Sequence, residues 1–81
     1  MKEYIGRWVE YSLVGHINYF IFIIAIEKDI REYIVRYIRS NGQKYQALFY
    51  IQDFERRMHR IEEDKNLISR LSKELMRNLF K

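Results

Sequence analysis

The sequence predicts an α+β protein: an antiparallel β-meander of about four strands followed by one long C-terminal amphipathic helix. Three observations carry this expectation. Residues before Asp53 are dense in Ile, Tyr, Phe and Val, types that suit a pleated, half-buried surface. From Phe54 onward, apolar residues recur at helical spacing among charged ones. Between two apolar runs stands Asn41-Gly42, a strong short-range hairpin signal. The structural alternative is an all-α hairpin or bundle in which residues 17–39 form one helix. The 81 residues make a single small domain, with a β-rich body over 1–52 and a helix over 53–80.

Residues 3–13 read as a strand. Ile5, Val9, Tyr11 and Leu13 then share a face with Arg7, opposite Tyr4, Trp8 and Glu10. A helix would instead align Ile5, Trp8, Val9, Ser12 and Leu13, and Gly6 weakens either interior. Val14-Gly15-His16 is the expected turn. Residues 17–26 are the clearest strand, apolar almost throughout, as in strands buried on both faces. Glu27-Lys28-Asp29 is a polar break and the next turn.

Residues 30–39 support two readings. Ile30, Tyr33, Ile34, Tyr37 and Ile38 lie on one helical face, Asp29 and Glu32 resemble a capping box, and Asn41-Gly42 would end such a helix. As a hairpin, Asn41-Gly42 forms a two-residue type I′ loop, because Asn and Gly best tolerate positive φ. Ile38 then faces Tyr45, Arg36 faces Ala47, and Ile34 faces Phe49. One face carries Ile34, Ile38, Tyr45, Phe49 and Ile51. The other carries Tyr33, Val35, Tyr37 and Arg39 across from Lys44, Gln46, Leu48 and Tyr50. The hairpin is the reading adopted.

The helix from about Phe54 rests on Phe54, Met58, Ile61, Ile68, Leu71, Leu75 and Leu79, at near-heptad spacing. Asp53 is the expected N-cap. This stripe is longer than a four-stranded sheet can cover. Its C-terminal half, Ile68, Leu71, Leu75 and Leu79, is therefore expected to pair with a second copy, giving a homodimer or higher homo-oligomer. The absence of cysteine points the same way, because a chain this short then lacks disulfides as a source of stability.

Composition narrows the function. The net charge is +4, a bias toward polyanions. Charged residues of both signs without cysteine fit a thermophilic source. The N-terminus does not open like a secretory signal, and residues 17–26 are too short to cross a bilayer. A cytoplasmic location, the host cytoplasm for a viral protein, and no membrane span are expected. Catalysis is not expected: His16 and His59 are far apart in sequence, and no phosphate loop, nucleophile elbow or paired-carboxylate motif is present. No cofactor or metal is expected.

Two constellations carry possible chemistry. Tyr33, Tyr37, Arg39, Lys44 and Tyr50, with Arg31 beside them, form a basic-aromatic sheet face in the adopted register, and Trp8 adds a further ring. Single-strand binders use such surfaces, stacking bases on rings while cations follow the phosphates. The same tyrosines also serve simply as amphipathic sheet residues. The second constellation is Arg56-Arg57-Met58-His59-Arg60, continued by Arg70, Lys73 and Arg77. It suits phosphates, or is the solvated face of an amphipathic helix.

The element order and the run Asp29-Ile30-Arg31-Glu32-Tyr33 resemble the single-stranded DNA-binding domain of the positive-cofactor transcriptional coactivators. The resemblance implies a sheet that binds unpaired strands and a helix that dimerises, and it touches Arg31 and Tyr33. The expected function is thus a small oligomeric nucleic-acid-binding protein, for single-stranded DNA or RNA with low sequence specificity. The alternative is a protein-interaction or assembly module, viral or accessory, with no nucleic-acid role.

Overall fold

The computed structural model describes residues 2–12, 19–61 and 64–80. The protein is α+β, with five antiparallel strands in one sheet and a long C-terminal helix. A single 3-10 turn, Lys2–Tyr4, precedes β1 (Trp8–Tyr11), β2 (Tyr19–Lys28), β3 (Glu32–Arg39) and β4 (Lys44–Tyr50). A short helix α1 (Ile51–Arg57), strand β5 (Met58–Arg60) and helix α2 (Lys65–Leu79) follow. The strand order is β4-β3-β2-β1-β5. The four-strand meander is as expected, and the all-α alternative is not what forms.

The sheet curls. Ile24 is the extra residue of a β-bulge on β2, between Ile23 paired with Tyr37 and Ala25 paired with Arg36. Bulges bend a strand and sharpen its twist. The curl brings the rings of Tyr11 on β1 and Phe49 on β4 to 5.3 Å, although two strands separate them in the sheet. The concave face closes around Val9, Tyr11, Ile21, Ile23, Tyr33, Val35, Tyr37, Phe54 and Met58. Phe54 is fully buried and meets Tyr4, Tyr33 and Phe49 edge-on, at 5.4, 5.1 and 6.2 Å. Helix α1 therefore plugs the trough with one aromatic side chain.

The expected continuous helix over 54–80 is corrected to two helices with a strand between them. Met58 takes extended backbone at φ −96°, ψ 122° and pairs with Tyr11, while its side chain enters the core. Unpaired backbone groups along β1 compete with helix continuation, and helical propensity is a weak constraint against such pairing. The expected cap at Asp53 is also corrected. Asp53 lies inside the first turn of α1 and pairs with Arg56 at 2.8 Å, while Asp64 caps α2 by accepting from the Leu67 amide at 3.0 Å.

The β3–β4 register differs from the expected one by a single residue. Tyr37 pairs with Tyr45, Val35 with Ala47 and Tyr33 with Phe49. The loop has three residues, Ser40-Asn41-Gly42. The Arg39 amide donates to the Gln43 carbonyl at 3.0 Å and the Gly42 amide to the Arg39 carbonyl at 2.8 Å. Only Gly42 adopts positive φ, at +89°, whereas a type I′ turn would need it at Asn41 as well. A one-residue slip sends every side chain of a strand to the other face. Tyr33, Val35 and Tyr37 thus point into the core with Tyr45, Ala47 and Phe49.

Elsewhere the boundaries shift. The strand expected over 3–13 begins only at Trp8, because Gly6 turns the chain at φ +76°. Strand β2 runs on to Lys28, so the turn is Asp29-Ile30-Arg31, closed by the Asp29 amide donating to the Glu32 carbonyl at 2.8 Å. The expected turn at Val14-Gly15-His16 lies outside the described residues.

Candidate nucleic-acid interface

The one-residue slip dismantles the expected aromatic platform. Tyr33 is 5% and Tyr37 8% exposed; Tyr37 stacks on Tyr45 at 5.2 Å inside the trough. Trp8 is likewise buried, beneath α2. Lys44 and Tyr50 are exposed on the opposite, convex face, and Arg39 is half-buried at the end of β3. Arg31 is exposed at the β2–β3 turn. The six residues expected to form one surface are divided between two faces and a turn. Of their three tyrosines only Tyr50, at 63% exposure, is open to a base.

Helix α2 covers part of the convex face. Asp64 caps its first turn, and Ile68, Leu71 and Leu75 recur on one side. The indole N–H of Trp8 donates to Ser72 Oγ at 3.0 Å, and Asn78 Nδ2 donates to the Ser40 carbonyl at 2.8 Å. Ile68 lines one shallow cavity with Trp8 and Phe22, whose rings meet at 5.4 Å. Leu71 is buried. The stripe expected to hold a second copy is therefore largely spent on its own sheet: Ile68 and Leu75 are half-buried and only Leu79 is exposed. The convex face of β1 and β2 covers this stripe within the same chain.

Docking α2 this way turns its other side outward. Asn66, Ser69, Arg70, Lys73 and Arg77 line an open, shallow surface with Glu74. Arg70, Lys73 and Arg77 are exposed and fall within about 60° of arc at 100° per residue, opposite Leu75. None of the three side chains has a hydrogen bond or ion pair to another described residue. Helix α2 carries four cations and one carboxylate, most of the chain's net charge of +4. The other half of the basic constellation does not join them on one helix. Arg56 pairs with Asp53, Arg57 ends α1, Met58 is buried, and His59 stands exposed on β5 opposite Glu10.

The spacing of Arg70, Lys73 and Arg77 opposite Ile68, Leu71 and Leu75 was legible in the sequence. Ser69 and Asn66 belong to the same surface and carried no signal beyond that periodicity. His16 lies outside the described residues, so the His16–His59 pairing has no geometry to report. Among the described residues no three His, Asp or Glu side chains gather as a metal site requires. No helix formed by them is long and apolar enough to cross a membrane. No family model, curated protein or solved structure matches the chain.

Proposed function

We propose that this protein binds nucleic acid through backbone phosphates, using the outer face of α2 rather than an aromatic sheet platform. The observation that supports this reading is the exposed, unpaired row of Arg70, Lys73 and Arg77, with Ser69 and Asn66 as neutral donors beside it. The row spans about 10 Å along the helix, long enough for two or three phosphates of one strand. Such contacts position a polymer without reading its sequence. With the stacking tyrosines buried, preference for unpaired strands rests on Tyr50 alone. The reading keeps low sequence specificity and gives up strong single-strand selectivity.

The test is fluorescence anisotropy with a labelled single-stranded oligonucleotide and its duplex, at low and moderate salt. The wild type binds both, and the combined variant Arg70→Glu, Lys73→Glu and Arg77→Glu loses at least about tenfold in affinity, since each phosphate contact contributes to counterion release. Absence of wild-type binding at low salt, or unchanged binding by the triple variant, overturns the reading.

A second reading, an assembly module, draws on the uncovered half of the convex face. There Leu48 and Tyr50 are each 63% exposed and Ile24 is 46% exposed.

A further inference from the structure

Strand β4 ends the sheet, and its outer edge is open. Among the described residues its only strand neighbour is β3. The Arg39 amide donates to the Gln43 carbonyl, which sets the alternation along the ladder. Tyr45, Ala47 and Phe49 direct their amide and carbonyl groups toward β3. Lys44, Gln46, Leu48 and Tyr50 direct theirs outward. Among the described residues no strand pairs with those outward groups, and only the Tyr50 carbonyl, at the N-cap of α1, is engaged elsewhere, in the first turn of that helix. Edge strands are normally protected by proline, a bulge, inward charges or a covering element. Strand β4 has neither proline nor bulge, and Lys44 is its one charge. The four outward-bonding residues are all exposed, and two of them are Leu48 and Tyr50.

We propose that β4 pairs antiparallel with β4 of a second copy, joining two sheets edge to edge about a two-fold axis at Ala47. The strand is self-complementary in that register. Lys44 stands opposite Tyr50 of the second copy, and Gln46 opposite Leu48. All four outward residues of each chain are used, and with the Tyr50 carbonyl kept by α1 they give about six inter-chain backbone hydrogen bonds. A shift of two residues either way leaves an outward residue unpaired on each chain.

Charge favours the same register. The two Lys44 side chains lie at opposite ends of the paired strands, about 20 Å apart at the rise of an extended chain. Each ammonium meets a tyrosine ring, an attractive geometry for a cation. Beyond that ring, on the same row, lies Glu32 of the second copy, because Glu32 pairs with Tyr50. No like charges face each other across the junction. The two Leu48 side chains become diagonal neighbours on the convex face and each Tyr50 ring packs beside Lys44 of the other copy, so exposed apolar surface of β4 is covered. This inference does not depend on nucleic-acid binding.

Sedimentation equilibrium on the full chain, without nucleic acid, tests it. The wild type should approach twice the 10.1 kDa chain mass as concentration rises. Leu48→Lys places like-charged residues in the junction, and Gln46→Pro removes an outward donor that the monomer does not use. Each should return the mass to that of one chain with an unchanged circular dichroism spectrum. Leu79→Ser with Phe80→Ser, at the end of α2, should leave the dimer intact. If the β4 variants fail to fold, amide hydrogen exchange of the wild type decides: Gln46 and Leu48 amides should gain protection as concentration rises. A wild type that stays at one chain mass, a dimer lost only in the α2 variant, or fast exchange at Gln46 and Leu48 under all conditions overturns the proposal.

Discussion

Tyr11 and Phe49 touch edge to face with centroids 5.3 Å apart, from strands that are three places apart in the sheet. A flat sheet would hold them more than 10 Å apart, given about 4.8 Å between neighbouring strands. The contact is thus a direct measure of how far the sheet has curled. The curl creates a concave side to be filled by Phe54 and a convex side to be covered by α2.

Phe54 is where that closure is most sensitive. It is fully buried and touches three aromatic rings from separate elements. Phe54→Ala should cost about 3–5 kcal/mol, much of the stability of a domain this size. Thermal unfolding followed by circular dichroism should show a greatly lowered midpoint or no cooperative transition. Leu48→Ala, on the exposed convex face, should change monomer stability by no more than about 0.5 kcal/mol.

Gly42 supplies the left-handed residue of the hairpin loop. Its φ of +89° is the one positive value in the three-residue loop, and a Cβ there would meet the Asn78 Cβ at 3.4 Å. Gly42→Ala should cost about 1–2 kcal/mol from the left-handed backbone. Urea unfolding should show a lower midpoint with an unchanged slope.

Trp8 is the single tryptophan and reports on α2. Its indole N–H donates to Ser72, and Leu71 is buried in the same layer. Leu71→Asp should undock the helix, shift Trp8 emission to the red and leave the far-ultraviolet strand signal in place. Ser72→Ala should cost about 1–3 kcal/mol, because it leaves a buried donor unsatisfied.

Asp64 starts α2 at its cap. Asp64→Ala should cost about 1 kcal/mol by freeing the Leu67 amide, whereas Asp64→Ser should retain most of that. The two variants, compared by urea titration, separate capping from charge.

Salt dependence reads the number of phosphates engaged. Three cations on α2 should give a slope of log affinity against log salt near about −2 for single strands and about −3 for duplex. Tyr37→Ala should lower the unfolding temperature by removing a core ring, and at temperatures where the variant is folded it should leave this slope unchanged. A slope near zero would indicate binding not governed by phosphates.

The chain's local patterns determined much by themselves. The β-branched and aromatic run over 19–26 is enough to make β2, since few other conformations accommodate those side chains side by side. Asn41-Gly42 is enough to reverse the chain. Ile68, Leu71 and Leu75, set opposite Arg70, Lys73 and Arg77, determine both a helix and which side of it is wet. What tertiary structure decided turns on small differences between nearly equal local choices. Asn41-Gly42 accepts a two- or a three-residue loop, and packing of Tyr33 and Tyr37 around Phe54 selects the latter. That choice moved two tyrosines from an expected binding face into the core. Phe54, Met58 and Ile61 are spaced for a helix, but the open edge of β1 draws Met58 into a strand, because backbone pairing outweighs a weak helical preference. The apolar stripe of α2 states that it must be covered and not by what. The curled sheet supplies a convex face within the same chain, and intramolecular docking occurs without the entropy cost of bringing two molecules together.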